Sequence, residues 1–336
     1  MEDLGEASTR EQCLTAVRCC PLCGESAERS QAAFSVRQLS WDVDVTTCCN
    51  CGLLYKSEFP TQELLASIYG PSYVHFKDSS SCCQSRQEPS DRTRRLGPPH
   101  GRHLDYGCGA GAAVWDAQSA GWESYGCDPF LPSIPSSHPL NGRLFRLDAR
   151  DPGLAATLGF FDCITLWAVV EHLPHLRQTF EGLHHLLKPG ASLVFSSPNG
   201  ASLIARRAGR RWNMANLVEH IVFMTPRSVG WLAEHLGFEV KRVRYGGVPY
   251  PMGTCPPGVD GQGFCQTQDE PPPVPLANRE PHSPARMSAA VRQLVGIAGA
   301  YFGKRNGGGH LGQLARGVLD RLRIGDHIEV CLLKCD

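Results

Sequence analysis

The alternation of apolar and polar positions predicts the first elements of this chain. In the run HLDYGCGAG, from His103 to Gly111, Leu104 and Tyr106 flank Asp105, and glycines follow at 107, 109 and 111. The pattern predicts a short strand, a glycine-rich turn, and a helix from about Ala112 through AAVWDAQSAGW. A second strand, ESYGCDPF, places Asp128 at its carboxyl end. Nearer the amino terminus, FSVRQLSWDVDVTT alternates like a β-hairpin. Residues 248 to 285 are rich in proline, glycine and polar side chains and predict a poorly ordered loop. After it, MSAAVRQLVGIAGAYFG and LGQLARGVLDRLR carry apolar residues at helical spacing and predict two helices.

The glycine turn suggests a ligand. Glycine lets a backbone turn tightly and approach a bound group closely, and the free N–H groups at a helix start favour a polar or anionic one. Asp128 follows the loop by about twenty residues, the separation at which a carboxylate grips a ribose in nucleotide-binding βαβ units. The spacing is D-x-G-x-G-x-G, whereas dinucleotide folds use G-x-G-x-x-G.

A second chemistry lies upstream. Cys20 and Cys23 in CPLCG, and Cys48 and Cys51 in CCNCG, form two C-x-x-C pairs, each followed by glycine. Four thiolates so arranged fit a tetrahedral zinc ion, and a site with four protein ligands is structural because no position stays open. A redox pair is the alternative, but it lacks a thioredoxin-like βαβ context. Cys19 and Cys49 are adjacent spares.

The glycine spacing, with an acid at the next strand end, resembles the class I S-adenosylmethionine-dependent methyltransferases. FDCITLWAVVEHL (Phe161 to Leu173) looks like that family's fourth strand and following loop. LHHLLKPGASLVFSSPN looks like the next helix, its turn and the fifth strand. TPRSVGWLAEHLGFEV looks like a further helix and strand, and GDHIEVCLLK like the last strand. The resemblance runs from about His103 to Tyr245 plus the terminal strand. It implies an α/β fold: a Rossmann-like seven-stranded sheet with helices on both faces, preceded by a small four-cysteine zinc ribbon. The implied organisation is a ribbon over 1–58, a connector over 59–100 and the methyltransferase domain over 101–336, with the loop and helical insertion before the last strand.

A ribbon ahead of such a domain occurs in ribosomal-RNA guanine methyltransferases and in bacterial enzymes acting on small metabolites, among them C-methyltransferases of nucleotide-linked deoxysugars. GLLYKSEFPTQELLASIYGPSYVHF, with Tyr69 and Tyr73, resembles the second group. Residues 78 to 97 are shorter and more polar than the helix usual there, which implies a reduced lid.

The resemblance also implies roles. Asp105, Gly107, Cys108 and Gly109 would line the methionine half of S-adenosylmethionine. Asp128 would hold the ribose, with Pro129 beside it. Phe130 would pack on the adenine, or else in the core. Asp148 would accept from the adenine amino group, or else cap a helix. Trp167, Glu171 and His172 follow the fourth strand and reach the rim where ligands of open α/β sheets bind. Asn199 follows the fifth strand. Glu219 and His220 should face the same cleft. His220 is the first candidate for the catalytic base and His172 the second, since a histidine accepts a proton near neutral pH; a tyrosine is the alternative. By their own chemistry, Arg206, Arg207, Arg210 and Arg211 would grip an anionic handle on the substrate, such as the diphosphate of a nucleotide-sugar, or else form a solvated helical face.

Composition narrows the acceptor. The 336 residues carry a formal net charge of zero, which argues against nucleic acid as main partner. No run of eighteen apolar residues offers a membrane span. The polar, acidic start is unlike a signal peptide, and sixteen cysteines then read as reduced thiols and metal ligands. The expectation is a cytoplasmic enzyme, monomer or dimer, methylating a small or carrier-linked metabolite. An RNA methyltransferase or a non-enzymatic scaffold are the rivals.

Overall fold

The computed structural model describes residues 9–70, 90–94, 96–97, 99, 101–134, 136–246 and 325–335. The loop expected at 248–285, the two helices after it, and Tyr73 lie outside the described residues.

Seven strands form the main sheet. In spatial order they are Leu144–Phe145, Glu123–Cys127, Arg102–Tyr106, Phe161–Leu166, Leu187–Pro198, His327–Lys334 and Phe238–Gly246. The first five run parallel, and His327–Lys334 lies antiparallel to both its neighbours. Parallel strands are covered by helices and so read as apolar runs. Accordingly Leu104, Phe161, Ile164, Leu166, Leu193 and Phe195 are all fully buried. The helix Leu176–Leu186 packs Leu176, Phe180, Leu183 and Leu186 inward, a spacing that puts them on one face.

The chain starts this sheet in the middle. From Arg102–Tyr106 it winds outward to one edge, then returns to the other side with Phe161–Leu166. A crevice opens at the carboxyl ends where the winding reverses, and this is where an open α/β sheet binds its ligand.

The four-cysteine ribbon forms as expected. Ser30–Gln38 and Trp41–Cys48 make the hairpin, with Val36 facing Val43. The glycines after the knuckles, Gly24 and Gly52, have φ of +74° and +75°. Each donates its N–H back to the first cysteine of its pair, Cys20 and Cys48, at 3.0 Å. That turn aims both thiols of a pair the same way.

The ribbon is not sealed off from the rest. Its sheet has four strands, and the fourth is Val222–Phe223, paired antiparallel with Leu54–Lys56. Thr225 Oγ1 donates to Gly52 O, and Arg227 Nη2 donates to the carbonyls of Cys49 and Asn50. The buried ribbon residues Cys20, Leu22, Cys51, Leu53 and Tyr55 share one apolar core with the main sheet.

Candidate active site

A cavity of about 1320 Å³ occupies the crevice. Single small-ligand sites fall in the range of about 300–1,000 Å³, so this one has room for two molecules side by side. All eleven residues assigned from sequence to cofactor or catalysis line it.

The glycine turn forms one wall. Gly107 has φ +74°, and a Cβ there would lie 2.5 Å from the Val169 side chain, so only glycine fits. Gly109 donates its N–H to Asp128 Oδ2 at 3.1 Å, and Phe130 N–H donates to Asp128 Oδ1 at 2.9 Å. Asp128 is therefore preorganised on two backbone donors. Burial raises it above the ordinary carboxylate range, and those two donors oppose the rise.

Asp105 sits deeper, on a buried polar relay. Thr165 Oγ1 donates to Asp105 Oδ1 at 2.7 Å. His103 lies between Thr165 Oγ1 (2.9 Å) and Ser124 Oγ (2.7 Å). Burial drives His103 down to about 3, so it is neutral. Thr165 spends its proton on Asp105, so His103 donates to Thr165 through Nε2 and accepts from Ser124 through Nδ1. Burial pushes Asp105 up to about 7, helped by the charge on Asp128. A raised folded pKa favours the protonated form, so stability is lost as pH climbs from the ordinary carboxylate value through about 7. Asp105→Asn is therefore expected to melt like wild type at acidic pH. Above neutrality it should melt about 3 °C or more higher, the equivalent of about 1 kcal/mol in a domain of this size. Equal melting temperatures at pH 8 would contradict the assignment.

Further along the wall, the Phe130 ring lies 4.9 Å from that of Tyr69. It faces the cavity and does not vanish into the core. Asp148 pairs with Arg150 at 2.7 Å and accepts its backbone N–H at 2.9 Å. Burial works against its charge, but the Arg150 contacts outweigh it and hold Asp148 below its usual value. Arg92 reaches the cavity as well, its guanidinium 5.1 Å from the centroid of the Trp167 ring. Sequence reading missed Arg92, because DRTRR looks like a plain polar connector.

The opposite wall holds the acid–base groups. His172 and His220 meet edge to face, with ring centroids 4.7 Å apart. His220 Nδ1 lies 2.9 Å from Met214 O. A carbonyl only accepts, so Nδ1 carries the proton and Nε2 presents a lone pair. Burial, then the charges of His172 and Lys56, hold His220 well below the ordinary histidine value. His172 Nδ1 lies 2.9 Å from the Tyr69 hydroxyl and 3.1 Å from Glu219 O. Glu171 is fully buried beside them, raised to about 8 by burial. Its Oε2 has no hydrogen-bond partner among the described residues.

Among the described residues, two clusters have the donor chemistry for a metal ion. One is Cys20, Cys23, Cys48 and Cys51. Sγ distances of 3.5 Å separate Cys20 from Cys51 and Cys23 from Cys48. Their environments disfavour several thiolates together: Cys51 is pushed up by its hydrogen bond to Cys20, and Cys23 by burial. A shared divalent cation relieves that conflict. The other cluster is Glu171, His172 and His220, a carboxylate with two imidazoles, which suits a divalent transition ion.

Two expectations find no place in the cavity. Asn199 is buried and closes its own turn, donating to Gly325 O and accepting from Ala201 N–H. Arg206, Arg207, Arg210 and Arg211 are exposed, and none lines the cavity.

The sheet order, the glycine turn at its switch point and the acid at the next strand end make a ligand-binding crevice at the carboxyl ends of the strands. Residues 83–243 match the family model described as a methyltransferase domain. A ubiquinone biosynthesis O-methyltransferase of Xanthomonas axonopodis pv. citri (strain 306) is 30% identical over 110 residues, 31% of this chain and 46% of that protein. Its counterpart in Escherichia coli O9:H4 (strain HS) is 28% identical over 130 residues, 37% of this chain and 51% of that protein. The chain spans about half the length of the curated relatives it matches. A SAM-dependent methyltransferase structure from Archaeoglobus fulgidus aligns at 17% identity and TM-score 0.41, covering 82% of this chain and 100% of that one.

Proposed function

We propose that the chain transfers a methyl group from S-adenosylmethionine to a small or carrier-linked acceptor. One observation carries the reading. A single cavity joins the glycine turn and Asp128 on one side to the His172–His220 pair on the other.

Asp128 accepts the ribose hydroxyls, the backbone from Gly107 to Gly109 borders the methionine half with Cys108, and Phe130 packs on the adenine beside Pro129. Asp148 would accept from the adenine amino group, and Trp167 would line the cofactor's part of the cavity. The cofactor supplies an electrophilic methyl on a sulfonium. The protein's task is to hold the acceptor in line with it and remove the acceptor's proton. His220 Nε2 would take that proton, and the acceptor's freed electron pair would displace the methyl from sulfur, breaking the sulfur–methyl bond and leaving S-adenosylhomocysteine. His172 is the second candidate for this role. The zinc in the ribbon is structural.

The acceptor reading rests on charge and on the relatives. A formal net charge of zero argues against RNA as the main partner. The relatives' names speak of O-methylation in ubiquinone biosynthesis, so an acidic aromatic hydroxyl joins nucleotide-sugars as an acceptor class. No helix among the described residues is long and apolar enough to cross a membrane. The twelve described cysteines are free thiols, in keeping with a reducing cytoplasmic setting.

Calorimetry with S-adenosylhomocysteine tests the reading and separates it from a scaffold. Wild type should bind one equivalent. Asp128→Ala should lose on the order of 1.5–3 kcal/mol of that affinity, because a charged acceptor disappears. Asp128→Asn keeps one acceptor oxygen, enough for the Gly109 or the Phe130 N–H but not both, so thermal unfolding measured beside calorimetry separates the ribose contribution from any loosening of the loop. Unchanged affinity in Asp128→Ala would remove the ribose assignment. A labelled-methyl screen over nucleotide-sugars, phenols and bulk RNA then identifies the acceptor.

A further inference from the structure

Lys56 is a lysine with 1% of its surface exposed, on a strand whose three residues are all buried. No carboxylate lies within hydrogen-bond distance of it among the described residues. Its Nζ donates to Gln38 Oε1 at 2.9 Å, Leu217 O at 2.6 Å and Val218 O at 3.5 Å. Three acceptors match the three N–H donors that an ammonium offers. Gln38, from the ribbon hairpin, donates to Asn216 O at 3.1 Å and Ala215 O at 3.4 Å. Lys56 N–H donates to Ile221 O at 2.9 Å.

Those carbonyls belong to one segment. Met214 O is held by His220 Nδ1, the carbonyls of 215 and 216 by Gln38, those of 217 and 218 by Lys56, and that of 221 by the Lys56 backbone. Met214, Leu217, Glu219 and His220 from this segment face the cavity. The ribbon therefore grips the acceptor wall from behind, carbonyl by carbonyl. Among the described residues it makes no such hydrogen bonds to the glycine turn or Asp128.

We propose that Lys56 is a positioning residue for His220, and that the ribbon metal governs the acceptor half of the site through Lys56 and Gln38 while leaving the cofactor half alone. This rests on the reading that His220 serves the acceptor. Lys56 Nζ fixes the carbonyls of the segment that orients the His220 ring. The groups around His220 are Glu171 and His172 from the turn after the fourth strand, His327 from the last strand, Glu219 from its own segment, and Lys56 from the ribbon. Burial draws Lys56 itself down to about 7, with Glu219 pulling the other way.

The test needs no acceptor. Full-length protein with ¹⁵N-labelled histidine is titrated by NMR between about pH 5 and pH 9 with S-adenosylhomocysteine bound, a range that brackets the free imidazole. The His220 signal is identified by its loss in His220→Gln. In wild type His220 should stay neutral with the proton on Nδ1. In Lys56→Met, a variant of similar volume, it should lose its tautomer preference, with S-adenosylhomocysteine affinity within about threefold. Cys20→Ser combined with Cys51→Ser, which removes the ribbon zinc alone, and Gln38→Leu should perturb His220 the same way at retained affinity; they decide the matter if Lys56→Met fails to fold. An unchanged His220 in a folded variant with zinc in place overturns the proposal. Parallel loss of S-adenosylhomocysteine affinity on zinc removal also overturns it, since the ribbon would then support the whole domain. Failure of wild type to bind S-adenosylhomocysteine sinks the methyltransferase reading instead.

Discussion

His220→Ala is expected to lower turnover by about 10²–10⁴-fold, the usual contribution of a general base. S-adenosylhomocysteine affinity should stay within a few fold, because His220 lies across the cavity from the glycine turn. The pH profile adds a second check. Burial and neighbouring charge hold His220 below the ordinary histidine value, so its lone pair stays available as pH falls. Activity in wild type should therefore persist below pH 6.5 before its acidic limb appears. The same measurement on His172→Ala ranks the two histidines. If both variants turn over like wild type, the base is elsewhere, and Tyr69, hydrogen-bonded to His172 at 2.9 Å, stands next.

Loss of the ribbon metal should have the largest effect on stability. Structural zinc sites bind with about 10–16 kcal/mol of apparent free energy in small zinc peptides, and that energy is folding energy. Purified protein should contain about one zinc, and Cys20→Ser combined with Cys51→Ser should lose it and unfold the ribbon. Single variants are less decisive, because Cys19 and Cys49 are exposed beside the knuckles and are free to step in. Metal analysis with circular dichroism checks the outcome. Full zinc in the double variant would move the site away from these cysteines. A second metal equivalent that survives the double variant would report Glu171, His172 and His220.

The features legible in the sequence are those whose cause is local. A glycine turn that only glycine can make, an acid at a strand end, and paired C-x-x-C knuckles with following glycines all sit within a few residues of their consequence. The Trp41–Cys48 hairpin was equally plain, since alternation encodes which face of a strand is buried. Long-range partners were not legible. Nothing about Val222 and Phe223 announces that they complete a sheet with Leu54 and Tyr55. Lys56 defies its own hydropathy, because its burial depends on carbonyls more than 150 positions away. Asn199 and the four arginines do not line the cavity, and the arginines are exposed as their solvated-face alternative expected. Residue type and rim position suggested a ligand, while the contacts that settle Asn199 come from Gly325, beyond the reach of any sequence window.

The Tyr55–Val222 pairing also sets an order of events during synthesis. The knuckles and hairpin leave the ribosome early, but the strand that flanks Leu54–Lys56 emerges only after about 170 further residues. Until then that strand is an open edge, the kind of surface on which other chains pair and aggregate. Contacts of such long sequence separation also slow folding, since the loop must close before they form. A fragment ending before Val222 would therefore carry a zinc-loaded ribbon with an unprotected edge, prone to self-association, whereas the full chain supplies its own cover.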